Sequence, residues 1–134
     1  MGQLVDTSVF IMLERRGLAL RDLSLAPDEP VALASITASE LIAGIYRADT
    51  PERRIRREAF VERLLMMLPT LAFDLPAARI YAQLSEDLRS RGLPIGAHDT
   101  LIAATALAYD YQLLTDNMRH FERIEGLDVR RVEL

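Results

Sequence analysis

The chain has 134 residues, 50% hydrophobic and 27% charged, which suits one globular domain over 1–134 and leaves too little chain for two. It contains no cysteine, so disulfides, thiolate metal centres and cysteine nucleophiles are excluded, and a reducing cytoplasm is the expected location. A net charge of −4 argues against a nonspecific nucleic-acid coat; no apolar run approaches the roughly 18 residues of a membrane span, and the start Met1-Gly2-Gln3-Leu4-Val5 lacks the basic region of a signal peptide.

In chain order, Gln3 to Asp6 reads as a short buried strand ending in an acid. Thr7 to Arg16 reads as a helix with Val9, Phe10 and Leu13 on one face, and Gly17 is placed to cap it. Pro27-Asp28-Glu29-Pro30 is a turn, and Val31 to Ser35 a second buried strand. Thr37-Ala38-Ser39-Glu40 opens a helix that carries Leu41, Ile42 and Ile45 inward. Thr50-Pro51 opens the next, with threonine as N-cap and proline in the first turn, running to about Met67. Thr70 to Asp74 is expected as a third strand. A helix follows from Pro76, with Ile80, Leu84 and Leu88 inward, until Arg91-Gly92-Leu93-Pro94 stops it. A markedly apolar helix spans about Asp99 to Tyr109, Gln112 to Thr115 is a fourth strand, Asn117 to Phe121 a helical turn, and Leu127 to Val132 an edge strand. This alternation predicts an α/β fold, a mostly parallel sheet of four to five strands flanked by helices.

In an open parallel sheet ligands bind beyond the carboxyl ends of the strands. Asp6, Thr115, Asp116 and Asn117 fall at such ends, and Glu40 and Asp99 lie in or beside the first turns of helices near that edge. Each has an ordinary structural role available. Asp6 before Thr7-Ser8 is a good N-cap; Thr37-x-x-Glu40 matches a capping box; Asp99 suits the positive end of a helix dipole; Asn117 suits the cap of the following turn. As a set, Asp6, Glu40 and Asp99 make an oxygen-only cluster whose mutual repulsion calls for a cation, and oxygen donors select a hard ion such as Mg²⁺ or Mn²⁺. His98 and His120 show no metal-ligand spacing; His98 reads as an ordinary loop or helix-start residue ahead of a support for the neighbouring Asp99.

All sixteen basic residues are arginine. The cluster Arg53, Arg54, Arg56, Arg57 and nearby Arg63 reads as a solvated helix face with Glu52, Glu58 and Glu62 as partners, ahead of a dedicated RNA patch.

The segments Leu-Val-Asp6-Thr-Ser, Ile-Thr-Ala-Ser-Glu40-Leu, Ile-Gly-Ala-His-Asp99-Thr-Leu-Ile-Ala-Ala and Leu-Leu-Thr115-Asp-Asn117-Met-Arg-His-Phe, in order over nearly the whole chain, resemble the PIN-domain ribonucleases of the VapC type, the toxins of toxin–antitoxin pairs. The resemblance implies a Mg²⁺- or Mn²⁺-dependent endoribonuclease that cleaves structured RNA to a 5′-phosphate and a 3′-hydroxyl. It implies Asp6 and Asp99 as main metal ligands, Glu40 as a third acid that binds the ion or orients the attacking water, and Thr115 as a hydroxyl beside the site. The family's frequent fourth acid is here Asn117, with Asp116 one place earlier as a possible additional site residue, so one firmly held ion is expected. Arg47, the Arg53–Arg57 group, Arg89, Arg91 and Arg119 are candidates to draw RNA to an acidic site. The resemblance also implies a VapB-type antitoxin covering the acids and a homodimer, with Leu64, Leu65, Met66 and Met67 as candidate contact surface or core. The alternative is a catalytically weak PIN-like module that binds RNA or protein.

Overall fold

The computed structural model describes every residue from Met1 to Leu134. Its centre is a five-stranded sheet, all parallel, in the order β3-β2-β1-β4-β5. The strands are β1 (Gln3–Val5), β2 (Val31–Ala34), β3 (Thr70–Leu71), β4 (Gln112–Thr115) and β5 (Val129–Arg131). In the middle strand every residue is buried, as expected of a strand covered on both faces. Side chains alternate along it. Leu4 turns to one face with Ala32, Ala34 and Leu113; Val5 turns to the other with Leu33 and Leu114.

The two faces carry separate cores. Helices α1 (Thr7–Arg16), α2 (Ser35–Tyr46) and α3 (Pro51–Met67) pack Phe10, Leu13, Leu41, Ile45, Val61 and Leu64 against the face of Val5, Leu33 and Leu114. Helices α4 (Leu75–Ser90), α5 (Ala97–Tyr109) and α6 (Met118–Phe121) pack Leu84, Leu88, Ile102, Ala103, Ala106 and Phe121 against the face of Leu4, Ala32, Ala34 and Leu113. The near-continuous apolarity of α5 follows from this position, wedged between the sheet and α4. A single 3₁₀ turn, Leu20–Asp22, interrupts the loop between α1 and β2. No helix is long and apolar enough to cross a membrane.

Several boundaries differ from the expectations. The third strand is two residues long, not five, because Asp74 accepts a hydrogen bond from the Ala77 amide at 3.2 Å and begins α4 instead. Helix α2 starts at Ser35, so Thr37 and Glu40 lie inside it and form no capping box; the N-cap is Ala34. Helix α5 starts two residues early, at Ala97. Gly17 caps α1 at φ 65°, and Thr50 caps α3 by accepting from the Arg53 amide, as expected. The Arg53–Arg57 face is solvated, yet its ion pairs go to Asp49 and Glu14 and not to Glu52, Glu58 or Glu62. The run Leu64 to Met67 divides: Leu64 is core, Leu65 packs against it, while Met66 and Met67 are 87% and 57% exposed.

Gly2, just before β1, lies flat against the Tyr111 ring, and a methyl group there would overlap the ring carbons. Gly2→Ala is therefore expected to destabilise the fold by about 1–3 kcal/mol, read as a lower urea midpoint with an unchanged slope.

Candidate active site

Strands follow one another leftward from β1 through β2 to β3, and the chain then returns to place β4 on the other side of β1. The order therefore switches direction between β1 and β4, and a crevice opens beyond the carboxyl ends of those two strands. Asp6 and Thr115 stand at its floor. The Asp6 amide donates to the Leu114 carbonyl at 2.9 Å, which fixes the residue at the end of the β1–β4 ladder.

Asp6 occupies the N-cap position of α1, but its side chain does not cap the helix. The carboxylate, on a residue only 3% exposed, is instead gripped by two hydroxyls. Thr115 Oγ1 donates to Oδ2 at 2.7 Å and Ser8 Oγ donates to the same oxygen at 2.8 Å, leaving Oδ1 free of side-chain donors. Each hydroxyl also accepts a backbone N–H from the turn after β4: Thr115 from Asn117 at 2.9 Å, Ser8 from Asp116 at 3.3 Å. The turn, the hydroxyls and the buried acid are thus one relay. Burial pushes the Asp6 carboxyl above its ordinary value; the Thr115 and Ser8 hydroxyls oppose that, and the Asp99 charge raises it further.

Glu40 reaches the crevice from inside α2. The Thr7 hydroxyl donates to its Oε1 at 2.7 Å and lies 3.0 Å from the Thr37 hydroxyl; His98 Nδ1 is 3.0 Å from Oε2. Asp99, in the first turn of α5, places Oδ2 at 2.6 Å from His120 Nδ1. Two acids are therefore each met by an imidazole. As they stand, no three carboxylates and imidazoles are gathered closely enough to ligate one ion.

The structure brings Asp6, Glu40, Asp99 and Thr115 to one edge of the sheet. Asp116 and Asn117 follow Thr115 there with exposed side chains, and only their backbone amides are engaged. Arg119 borders a recess shared with Asp99. Arg47 closes α2 seven residues beyond Glu40, about 10 Å of helix rise, and Arg53 is held by Asp49 at 2.8 Å. Arg89 and Arg91 pair with Glu86 and Asp87 on α4. The sequence reading missed Ser8 and His120 as partners of the acids, and His98, weighed there as a support for Asp99, meets Glu40 instead. The available signal was positional: each lies within three residues of an acid or of Asn117 in the strand-to-helix segments.

The chain matches the model of the PIN domain over residues 4–127. It is 36% identical over 132 residues to "Ribonuclease VapC1" of Rickettsia felis, covering 98% of this chain and 97% of that one. It is 35% identical over 99 residues to the "tRNA(fMet)-specific endonuclease VapC" of Salmonella typhimurium, covering 74% and 73%. Among solved structures it is similar to a chain of VapBC2 from Rickettsia felis, a complex bound to a DNA fragment from its promoter, with TM-score 0.87, 25% identity and 98% coverage of both chains. A parallel five-stranded sheet with three acids at its switch point, matched over nearly its whole length, places the chain in the PIN-domain family, among its VapC ribonucleases.

Proposed function

We propose that this chain is a Mg²⁺- or Mn²⁺-dependent endoribonuclease, the toxin of a type II toxin–antitoxin pair. The observation that carries the reading is Asp6: a carboxylate buried at the end of the central strand, with a second negative charge at Asp99 raising its pKa and one oxygen left free of side-chain donors. Such an arrangement costs stability in a structural acid and suits a cation ligand. The donor set fits a hard divalent ion, since it offers carboxylate oxygens and no thiolate. Asp6 and Asp99 would hold the ion, with Glu40 as the third acid. An ion held there supplies Lewis acidity and a lowered pKa of water.

The chain's own residues do the rest. Thr115 and Ser8 hold the Asp6 carboxylate in one rotamer. Glu40, steadied by Thr7, accepts the proton of the attacking water or orients it. Cleavage leaves a 5′-phosphate and a 3′-hydroxyl. Asn117 replaces a possible fourth acid, so one ion is held firmly. A structured RNA is the proposed substrate class, in keeping with the relative named for initiator tRNA. A VapB-type antitoxin would cover the acids, and a homodimer with Met66 and Met67 in its contact is consistent with their exposure. A cytoplasmic location completes the reading.

Titration of Mg²⁺ into the chain with RNA tests it. Turnover that rises with Mg²⁺ and stops with EDTA supports it; RNA binding without turnover across Mg²⁺ and Mn²⁺ favours the binding-module alternative. The histidines make a second prediction. His120 holds Asp99 through Nδ1, the position that an asparagine amide reproduces. His120→Leu is expected to weaken Mn²⁺ affinity about 10-fold, as loss of a ligand's supporting hydrogen bond does, while His120→Asn retains most of it; titration calorimetry with Mn²⁺ alone reads both.

A further inference from the structure

Two recesses flank the segment after β4, one bordered by Asp99 and the other by Ser8, the partner of Asp6. On one side Asp99 and His120 share a recess of about 380 Å³ with Arg119 and Arg123. On the other, a recess of about 440 Å³ is bordered by Ser8, Arg15, Arg16, Asp116 and Asn117. Ser8 donates to Asp6, so one hydrogen bond links the wall of this recess to the buried carboxylate. None of the guanidinium groups of Arg15, Arg16, Arg119 and Arg123 is tied up in an ion pair, whereas Arg53, Arg57, Arg89 and Arg91 are all engaged by carboxylates.

We infer that these two recesses are phosphate subsites for one RNA strand, Arg15 and Arg16 binding the backbone on one side of the scissile phosphate and Arg119 and Arg123 on the other. The inference rests on the ribonuclease reading and assigns its substrate path. An acidic protein with carboxylates at its reaction centre needs cations placed beside them, and guanidinium forks match phosphate oxygens. Arg15 and Arg16 also sit in the last turn of α1, where they complement the helix dipole. That role alone needs no recess and no adjacency to Ser8 and Asn117. Asp116 in the same recess gives the inference a signature of opposite sign: its charge opposes a phosphate there, so its removal should tighten RNA binding.

The test measures binding of fluorescein-labelled bulk transfer RNA by anisotropy, over a range of salt, in Asp99→Asn protein so that no RNA is cut. Arg15→Ala/Arg16→Ala is expected to raise Kd about 10-fold and to lower the slope of log K against log salt by roughly 1 to 2. Arg119→Ala/Arg123→Ala should do the same, Asp116→Asn should lower Kd, and Arg79→Ala, on α4, should change neither. Thermal melts confirm that each variant is folded. An unchanged Kd and slope in Arg15→Ala/Arg16→Ala overturns the path, as does a loss matched by Arg79→Ala or an absence of salt-sensitive binding in the parent protein. If the parent binds as described and the protein with Asp99 intact never cuts, the ribonuclease reading fails and the binding path stands.

Discussion

Asp99→Asn is expected to lower RNA cleavage by about 10³-fold, roughly 4 kcal/mol of barrier, the scale of a lost charge-stabilising metal ligand. The fold should survive. Asp99 sits in the first turn of α5, and its side-chain partner in the structure is His120. An asparagine carbonyl can still accept from that imidazole, and the helix is anchored elsewhere by Ile102, Ala103 and Ala106 in the core. Circular dichroism and the melting curve should therefore match the parent while cleavage disappears. Full cleavage by a folded Asp99→Asn chain would remove this acid from the mechanism.

Asp6→Asn should separate stability from activity more sharply. The Asp6 carboxyl has a pKa above its ordinary 3.8 in the folded chain, chiefly through burial. A raised acid favours the protonated form in the native state. Below about pH 3.8 both folded and unfolded chains are protonated there and the residue has no net penalty. As pH rises through 3.8 toward the folded pKa, the unfolded chain loses its proton first and the folded state loses stability relative to it. At pH 7, without metal, Asp6→Asn should thus be more stable than the parent, with the gap closing as pH falls toward 3.8. Thr115 and Ser8 can donate to the asparagine carbonyl as they do to Oδ2. Adding Mn²⁺ should reverse the order: the parent melts higher by linkage, while the variant gains little. Urea unfolding at several pH values, with and without Mn²⁺, checks the sign. A variant less stable than the parent at pH 7 without metal would contradict the account of Asp6. The pattern is that of a site whose electrostatic strain is retained for its chemistry.

Much of this is legible in the sequence. β1, β2 and β4 stand out as short apolar runs because they are buried on both faces, and Asp6 and Thr115 end two of them. Placing those two residues side by side needs only the rule that ligands collect at a switch point. Local signals misled where two of them competed. Ala72-Phe73-Asp74 prolongs the apolar pattern of β3, but the capping strength of Asp74 wins and the helix begins. Thr37-x-x-Glu40 imitates a capping box one turn too late, because α2 is entered directly from β2. Which imidazole meets which acid is not legible. His98 and Glu40 are 58 residues apart and His120 and Asp99 21. No local pattern encodes contacts made only by strand order. The arginines show the same limit: of the sequence candidates Arg47, Arg53 and Arg119, only Arg119 borders a recess with one of the acids, whereas Arg15 and Arg16 come beside Ser8 and Asn117 only because α1 packs against β4.

Mapping of RNA 5′ ends after incubation with the chain, with Mg²⁺ and with EDTA, shows whether the acids at the switch point cut RNA with a divalent ion. Discrete new ends bearing a 5′-phosphate are expected with Mg²⁺ and none with EDTA. Cuts that persist in EDTA, or that leave a 5′-hydroxyl, would contradict that chemistry.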